Sequence, residues 1–207
     1  MGGSAGSSRP TAPHLGLLNA PSFPSPGPPG AAPAPAMTMT PQPATPRRSR
    51  EPGHRRKFLV VVDDTPECDR AIYFAARRAA GTQGGMVLLG VLELEGVAQQ
   101  WLGVADLMRA EAHEEMEARL QKFAARARQV AGISPELVIK EGSPAEAIAR
   151  TIAEDHDIAI LVLAAGVGKD GPGPLVTVLA AGHAARFPVP ITIVPGALTD
   201  AELDAIA

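Results

Sequence analysis

The chain has 207 residues, and its composition changes near residue 56. Residues 1–56 hold 13 of the 21 prolines and carry a net charge of +5, whereas the rest of the chain carries −8. A stretch rich in Pro, Ala and Gly and poor in large apolar residues cannot bury a core, so residues 1–56 are predicted to be a disordered tail. The remainder is long enough for one ordinary domain, and its acidity argues against nucleic acid as a partner.

Two further features limit where the protein works. No stretch is long and apolar enough to span a membrane, which argues against a membrane partner. The chain has one cysteine, Cys68, so a disulfide within the chain is excluded and a reducing compartment is favoured. The composition therefore predicts a cytoplasmic protein, with Cys68 as a small residue of the core.

The first predicted unit is a strand followed by a helix. An unbroken apolar run predicts a buried strand near residues 58–63, which ends at the paired acids Asp63 and Asp64. Residues 65–67 then have the order of a helix start: a hydroxyl cap, proline at the first position and an acid in the first turn. A second strand is predicted near residues 86–92.

The middle of the chain predicts a long helix, a short strand and another helix. Residues 105–131 carry apolar side chains at spacings of three and four, which is typical of one buried helix face: Met108, Ala112, Met116, Leu120, Phe123, Ala127 and Val130. A third strand is expected near residues 137–140. The sequence from Ser143 to Glu146 has the form of a capping box with proline at the first helical position, and it predicts the third helix.

A glycine-rich loop lies between the last two predicted strands. An apolar run predicts a buried strand near residues 158–164, and four glycines follow it: Gly166, Gly168, Gly171 and Gly173. A helical pattern then covers residues 175–186, and a last strand is predicted near residues 190–194. The capping box at residues 199–202 predicts a short final helix.

Five strands that alternate with helices predict an α/β fold with a parallel sheet covered on both faces. Such sheets bind ligands beyond the carboxyl ends of their strands, where the winding reverses. If the first and fourth strands are neighbours, Asp63 and the glycine loop flank that point. A glycine loop before a helix can present backbone N–H groups to an anion. It can also be only a flexible connection that the glycines allow to turn tightly.

Four short segments, in this order and spacing, together resemble the universal stress protein family. They are Val-Asp-Asp-Thr-Pro at residues 62–66, Gly-Ser-Pro-Ala-Glu-Ala-Ile at residues 142–148, the glycine loop, and Pro190 before the last strand. The resemblance implies a domain at residues 57–195 with residues 196–207 as a C-terminal extension. It also implies a Rossmann-like sheet of the adenine nucleotide α-hydrolase type, in the order 3-2-1-4-5, with helices on both faces.

The resemblance also implies a ligand site. Nucleotide-binding members carry G-x2-G-x9-G-(S/T) after the fourth strand, and their ligand is ATP, with Mg²⁺ held through the phosphates. Ala164 and Ala165 stand where the first glycine belongs. The later pair is absent at its usual distance, and Val176-Thr177 would stand in for it two residues early. Carried over by position, the nucleoside would meet Asp63 and Val91, and the phosphates would meet Gly168, Lys169, Gly171, Gly173 and Thr177.

Two functions of different classes remain open at this point. The first is a stress-response module that binds ATP and signals through a homodimer joined at the last strand. The second is a dimeric interaction protein that binds no nucleotide. An enzyme ranks below both, because no nucleophile, histidine or metal cluster is recognisably placed beside Asp63 and Asp64. We therefore expect no catalytic residue and no protein-bound metal, with slow ATP hydrolysis as the remaining enzymatic alternative.

Overall fold

The computed structural model of the chain describes residues 2, 46–93, 105–168, 171–173, 175–177 and 187–207. Within them the elements follow each other as β1 (Lys57–Val62), α1 (Cys68–Gly81), β2 (Gly85–Leu92), α2 (Ala105–Ala131), β3 (Glu136–Glu141), α3 (Pro144–Glu154), β4 (Ile158–Ala165), β5 (Ile191–Pro195) and α4 (Asp200–Ile206). Each predicted strand lies within one residue of its observed bounds. Of the helix predicted at residues 175–186, residues 175–177 are described and helical, and the rest lies outside the described residues.

The five strands form one parallel sheet in the order β3-β2-β1-β4-β5. This confirms both the fold class and the strand order that the sequence predicted. β1 lies at the centre, paired with β2 on one side and β4 on the other. Parallel strands need long crossover connections, and burial on both faces explains the continuous apolar runs of β1, β2 and β4.

A hydrophobic core lies on each face of the sheet. On one face the apolar sides of α1, α2 and α4 pack against alternate strand residues such as Phe58, Val60 and Val162. On the other face Ile148 and Ile152 of α3 pack with the strand residues that point the opposite way. The two-residue period of a strand divides each apolar run between the two cores.

The start of α1 departs from the sequence prediction, the start of α3 agrees with it but lacks the predicted capping bond, and the start of α4 agrees in full. α1 begins at Cys68, and the Thr65 hydroxyl makes a bond to Asp63 instead of capping the helix. α3 does follow Ser143, but the Ser143 side chain makes no capping hydrogen bond. α4 has both bonds of its capping box, from Glu202 N to the Thr199 side chain and from Thr199 N to the Glu202 side chain. The final helix is therefore confirmed.

α2 has the predicted bounds, but its predicted apolar face is buried only in part. Met116, Leu120 and Ala127 are buried, whereas Met108 is 44% exposed, so its predicted place on the buried face is wrong. Helical spacing fixes which side chains share a face, but a face is buried only where another element packs on it.

The segment before β1 makes several hydrogen bonds to the C-terminal end of α3 and to the loop between α3 and β4. Arg47 donates to the carbonyl oxygens of Ile152 and Asp155 at 2.5 and 3.1 Å, where the C-terminal carbonyls of α3 need partners. His54 Nδ1 lies 2.7 Å from a carboxylate oxygen of Asp157. Residues 46–56 thus make specific contacts, and the boundary at residue 57 stays a prediction. Among the described helices, none is long and apolar enough to cross a membrane.

Candidate functional site

The point where the sheet reverses its winding lies between β1 and β4. These strands are direct neighbours, with Val60 opposite Val162, and they end at Val62 and Ala165. Asp63 therefore follows one strand and Gly166 follows the other at the same edge of the sheet. The juxtaposition that the sequence predicted is present.

Asp63 organises the turn between β1 and α1. One oxygen of its carboxylate accepts hydrogen bonds from the backbone N–H and the hydroxyl of Thr65, at 3.0 and 2.6 Å. A carboxylate that accepts from a backbone N–H two residues ahead stabilises a local turn in place of a helical start. This competition explains why α1 begins later than the sequence predicts. It also holds the exposed Asp63 side chain at the end of β1.

A small cavity, here called the strand-end recess, lies beside Asp63. Its volume is about 70 Å³. Its lining combines apolar side chains with polar groups at its mouth: Val61, Asp63, Thr65, Glu67, Leu163, Ala164, Pro172, Gly173, Leu175 and Val176. The charged side chains among these lining residues, Asp63 and Glu67, are both acidic.

Glu67 lies across the ends of β4 and β5, where two glycines make room for it. A methyl group built on Gly166 would lie 2.6 Å from a carboxylate oxygen of Glu67 and 2.8 Å from the carbonyl oxygen of Gly171. A methyl group built on Gly196 would lie 2.7 Å from Cβ of Glu67. Because non-bonded carbon and oxygen atoms do not approach so closely, and two carbons even less, a side chain at either glycine would force Glu67 or the neighbouring backbone to move.

The glycine loop has the backbone shapes that its composition indicates. Gly171 and Gly173 have φ angles of +80° and +93°, which residues other than glycine rarely adopt. Gly168 is exposed, and a methyl group built on it would meet nothing within 4 Å. The Thr177 hydroxyl donates to the carbonyl oxygen of Gly173 at 2.8 Å, so this hydroxyl is bonded within the chain.

The structure brings only part of the predicted site together. Asp63 and Gly173 line the strand-end recess, and Gly171 contacts the same corner through its carbonyl oxygen. Gly168, Thr177 and Val91 are not among the residues that line it, although Val91 packs on the same face of the sheet as Val61. Lys169 lies outside the described residues.

The residues that sequence reasoning missed are mostly apolar strand and loop residues, and one is charged. Thr65 was assigned to a helix cap and Glu67 to a first helical turn, yet both line the strand-end recess. A signal existed for Thr65, which directly follows the paired acids of a buried strand. The position of Glu67 depends on contacts with Gly166 and Gly196, about 100 and 130 residues away in sequence, and no local pattern reports such contacts.

A second, more open cavity of about 340 Å³ lies on the α2 side of Asp63. It is lined by Asp63, Asp64, Thr65, Pro66, Asp69, Arg119, Lys122 and Phe123, and thus by charges of both signs. Asp63 is shared by the two cavities. Among the residues that the structure describes, no group of three His, Cys, Asp or Glu side chains could hold a metal ion.

Cys68, at the start of α1, is buried, and burial raises the pKa of its thiol to about 12. The thiolate is the reactive form of cysteine, so a buried thiol with this pKa is inert at neutral pH. The prediction that Cys68 is a small residue of the core is confirmed.

Comparisons with known proteins agree with this geometry. The model of the universal stress protein family matches residues 54–195. The hypothetical protein MJ0577 has a solved structure that is 18% identical, with a TM-score of 0.53 over 68% of this chain and 95% of that one. Universal stress protein UspA from Lactobacillus plantarum is 20% identical, with a TM-score of 0.50 over 67% and 97%.

A universal stress protein from Archaeoglobus fulgidus, solved in complex with dAMP, is 17% identical, with a TM-score of 0.48 over 67% and 97%. At these identities the structures of MJ0577 and of UspA from Lactobacillus plantarum show the shared fold alone. A search of curated protein sequences found no match. The family model covers well over half of the chain, and the observed sheet has the order that the resemblance implied. This chain belongs to the universal stress protein family.

Proposed function

We propose that this protein binds an adenine nucleotide at the carboxyl ends of β1 and β4 and acts as a stress-response module without turnover. The observation that carries the proposal is the strand-end recess, where Asp63 and a loop with left-handed glycines meet at the reversal point of a parallel sheet. Ligands of open α/β sheets bind at this point.

The chemistry of the flanking groups suits a nucleotide in two respects. Asp63 can accept hydrogen bonds from a ribose or a base, and the apolar side chains of Val61 and Leu163 provide a surface for a ring. Gly171 and Gly173 allow the loop backbone to approach a phosphate closely. The finer form of the proposal has ATP as the ligand, with the loop residues at its phosphates.

Mg²⁺ would enter this site with the nucleotide. Mg²⁺ takes oxygen ligands, usually one or two carboxylates in addition to phosphate oxygens and water. Asp63 and Glu67 supply carboxylates beside the loop, which fits such an ion, whereas no described cluster could hold a metal ion without phosphates. The ion would lower the negative charge that the triphosphate presents to the protein.

The same proposal includes assembly and location. We expect a homodimer joined through β5, which is the last strand of the sheet and exposes Ile193. We expect the protein to act in the cytoplasm, in keeping with its single buried cysteine.

Calorimetric titration with ATP and Mg²⁺ tests the binding proposal. We expect measurable heat and a higher unfolding temperature with nucleotide, and we expect Gly168→Val to abolish binding. A side chain at Gly168 meets nothing within 4 Å, so this variant should fold. Gly81→Val is the matched control. Gly81 is the last residue of α1, and a side chain built on it also meets nothing within 4 Å, so this variant should bind nucleotide as the parent does. Absence of heat and of thermal protection at millimolar nucleotide would refute the proposal.

A second function is favoured by a specific observation. Val176 is buried, and with Glu67 it contributes side chains to the wall of a recess of only about 70 Å³. An interaction protein of the same fold that binds no nucleotide would have its recess closed in this way. It would dimerise normally, show no response to ATP and capture its partners equally well with Gly168→Val.

A further inference from the structure

We propose that the Glu67 carboxylate sets the charge selectivity of the strand-end recess and disfavours ligands that bring uncompensated phosphate charge. This inference rests on the proposed nucleotide function and adds to it a residue that determines specificity. It starts from the contacts of Glu67 with the loop that would hold the phosphates.

The Glu67 carboxylate lies beside the start of the glycine loop. A methyl group built on Gly166, the first residue after β4, would lie 2.6 Å from one oxygen of this carboxylate and 2.8 Å from the carbonyl oxygen of Gly171. A phosphate bound to this part of the loop would therefore meet a negative charge and a carbonyl oxygen. Like charges at such distances repel strongly where water is partly excluded.

Glu67 lies beside the ends of two strands. Its Cβ lies against Gly196, directly after β5, and its carboxylate lies against Gly166, directly after β4. A side chain at either glycine would collide with Glu67, so the two glycines leave the space in which Glu67 lies. Its charge thus belongs to the lining of the recess.

Asp63 adds a second negative charge to the same lining. One oxygen of its carboxylate accepts the two hydrogen bonds from Thr65, so the side chain is tied to the turn. Glu67 differs, because its side chain makes no capping bond to α1. Glu67 can therefore be changed without removal of a helix cap, and its charge can be tested separately.

The test compares the binding of ligands with increasing phosphate charge by the parent protein and by a variant whose residue 67 has the same size but no charge. Glu67→Gln keeps the size of the side chain and removes the charge, and Glu114→Gln removes an exposed charge from α2 as the matched control. Dissociation constants are measured by calorimetry for adenosine and ATP with a chelator present, and for ATP with excess Mg²⁺. Circular dichroism confirms that each variant is folded.

We expect Glu67→Gln to bind metal-free ATP about tenfold more tightly than the parent, with adenosine unchanged. Mg²⁺ should reduce the difference in ATP affinity between Glu67→Gln and the parent, because the ion neutralises part of the phosphate charge. Glu114→Gln should match the parent in every titration. If Glu67→Gln binds ATP and the parent does not, the inference is supported, and the Glu67 charge excludes ATP from the site of the parent.

Four results would overturn the inference. Equal ATP affinities in the parent and Glu67→Gln would remove the role of the charge and leave the proposed function standing. An equal gain for adenosine, or a difference that Mg²⁺ does not narrow, would show that Glu67 acts through shape. Absence of binding in both proteins would refute the proposed function, and the inference with it.

Discussion

Asp69 lies between two arginines at the contact of α1 with α2. Arg126 Nε donates to it at 2.9 Å, and Arg70 is also hydrogen-bonded to its carboxylate. Burial by itself would raise the pKa of Asp69, but the bonds from Arg126 and Arg70 outweigh burial and hold the pKa below its usual value. The charged form is therefore favoured in the folded state. Its contribution to stability is present above the pKa of the unfolded chain, about 4, and is lost as the pH falls through the lower folded value.

Asp69→Asn should make the protein less stable at neutral pH, because Arg126 and Arg70 lose a charged partner. The difference in unfolding free energy from the parent should shrink as the pH falls from about 4 through the lower folded-state pKa of Asp69, where the carboxylate of the folded parent also becomes neutral. Urea unfolding at pH 7, 5 and 3 measures it. Asp106→Asn, at a side chain that is 92% exposed, is the control. A difference that is the same at all three pH values would contradict the role assigned to the Asp69 charge.

The candidate site divides at this scale into residues that the sequence could reveal and residues that it could not. Asp63 and Gly173 were predicted because each belongs to a local pattern, a strand that ends in acids and a loop rich in glycine. Glu67 was missed because its place depends on segments far away in the chain. The Asp63 carboxylate accepts hydrogen bonds from Thr65, so α1 begins later in the chain than the helix-start pattern predicts.

At the scale of elements, α4 joins the C-terminal extension to the domain. Leu203 is completely buried and belongs to the same core as α1 and α2. Around it, Arg70 donates to Asp200 at 2.5 Å, and the Tyr73 hydroxyl donates to Asp204 at 3.0 Å. A single apolar side chain with polar contacts on its rim holds this seven-residue helix in place.

Leu203→Ala should reduce the unfolding free energy by about 2–4 kcal/mol, because the change leaves a cavity under α4. Ile206→Ala, in the same helix at a side chain that is 57% exposed, should change it by less than about 0.5 kcal/mol. Urea unfolding followed by circular dichroism compares the two. Equal effects of the two variants would mean that α4 does not contribute through burial of Leu203.

The caps of α3 and α4 offer a test of side-chain capping. The Thr199 side chain accepts a bond from Glu202 N, whereas the Ser143 side chain makes no capping bond. Thr199→Ala should therefore cost about 1 kcal/mol of stability and Ser143→Ala clearly less. Thermal or urea unfolding of both variants measures the difference. A larger loss with Ser143→Ala would show that the capping assignment is reversed.

At the scale of the whole molecule, β5 is the edge strand at which we expect two chains to meet. It pairs with β4 on one side and ends the sheet on the other, and Ile193 is 46% exposed on it. An exposed strand edge with an apolar side chain favours pairing with another strand. This placement supports the homodimer that we propose.

Ile193→Lys should convert the proposed dimer into a monomer, because a charge would be placed in the middle of the contact. Ile206→Lys introduces the same charge at an exposed apolar position on α4 and should leave the dimer intact. Sedimentation velocity of the full chain measures the masses. A parent protein that sediments as a monomer, or an Ile193→Lys variant that remains a dimer, would exclude assembly through β5.

The sequence by itself determined the fold class, the five strands and the bounds of α2, because apolar periodicity and strand length are local properties of the chain. With the family resemblance, it also determined the order of the sheet. Tertiary structure alone decided that Met108 is exposed, that Leu203 is buried, and that Glu67 lies in the recess beside Asp63. The physical reason is the same in each case. A pattern states which side of an element is apolar or charged, but only the packing of distant segments determines what that side contacts.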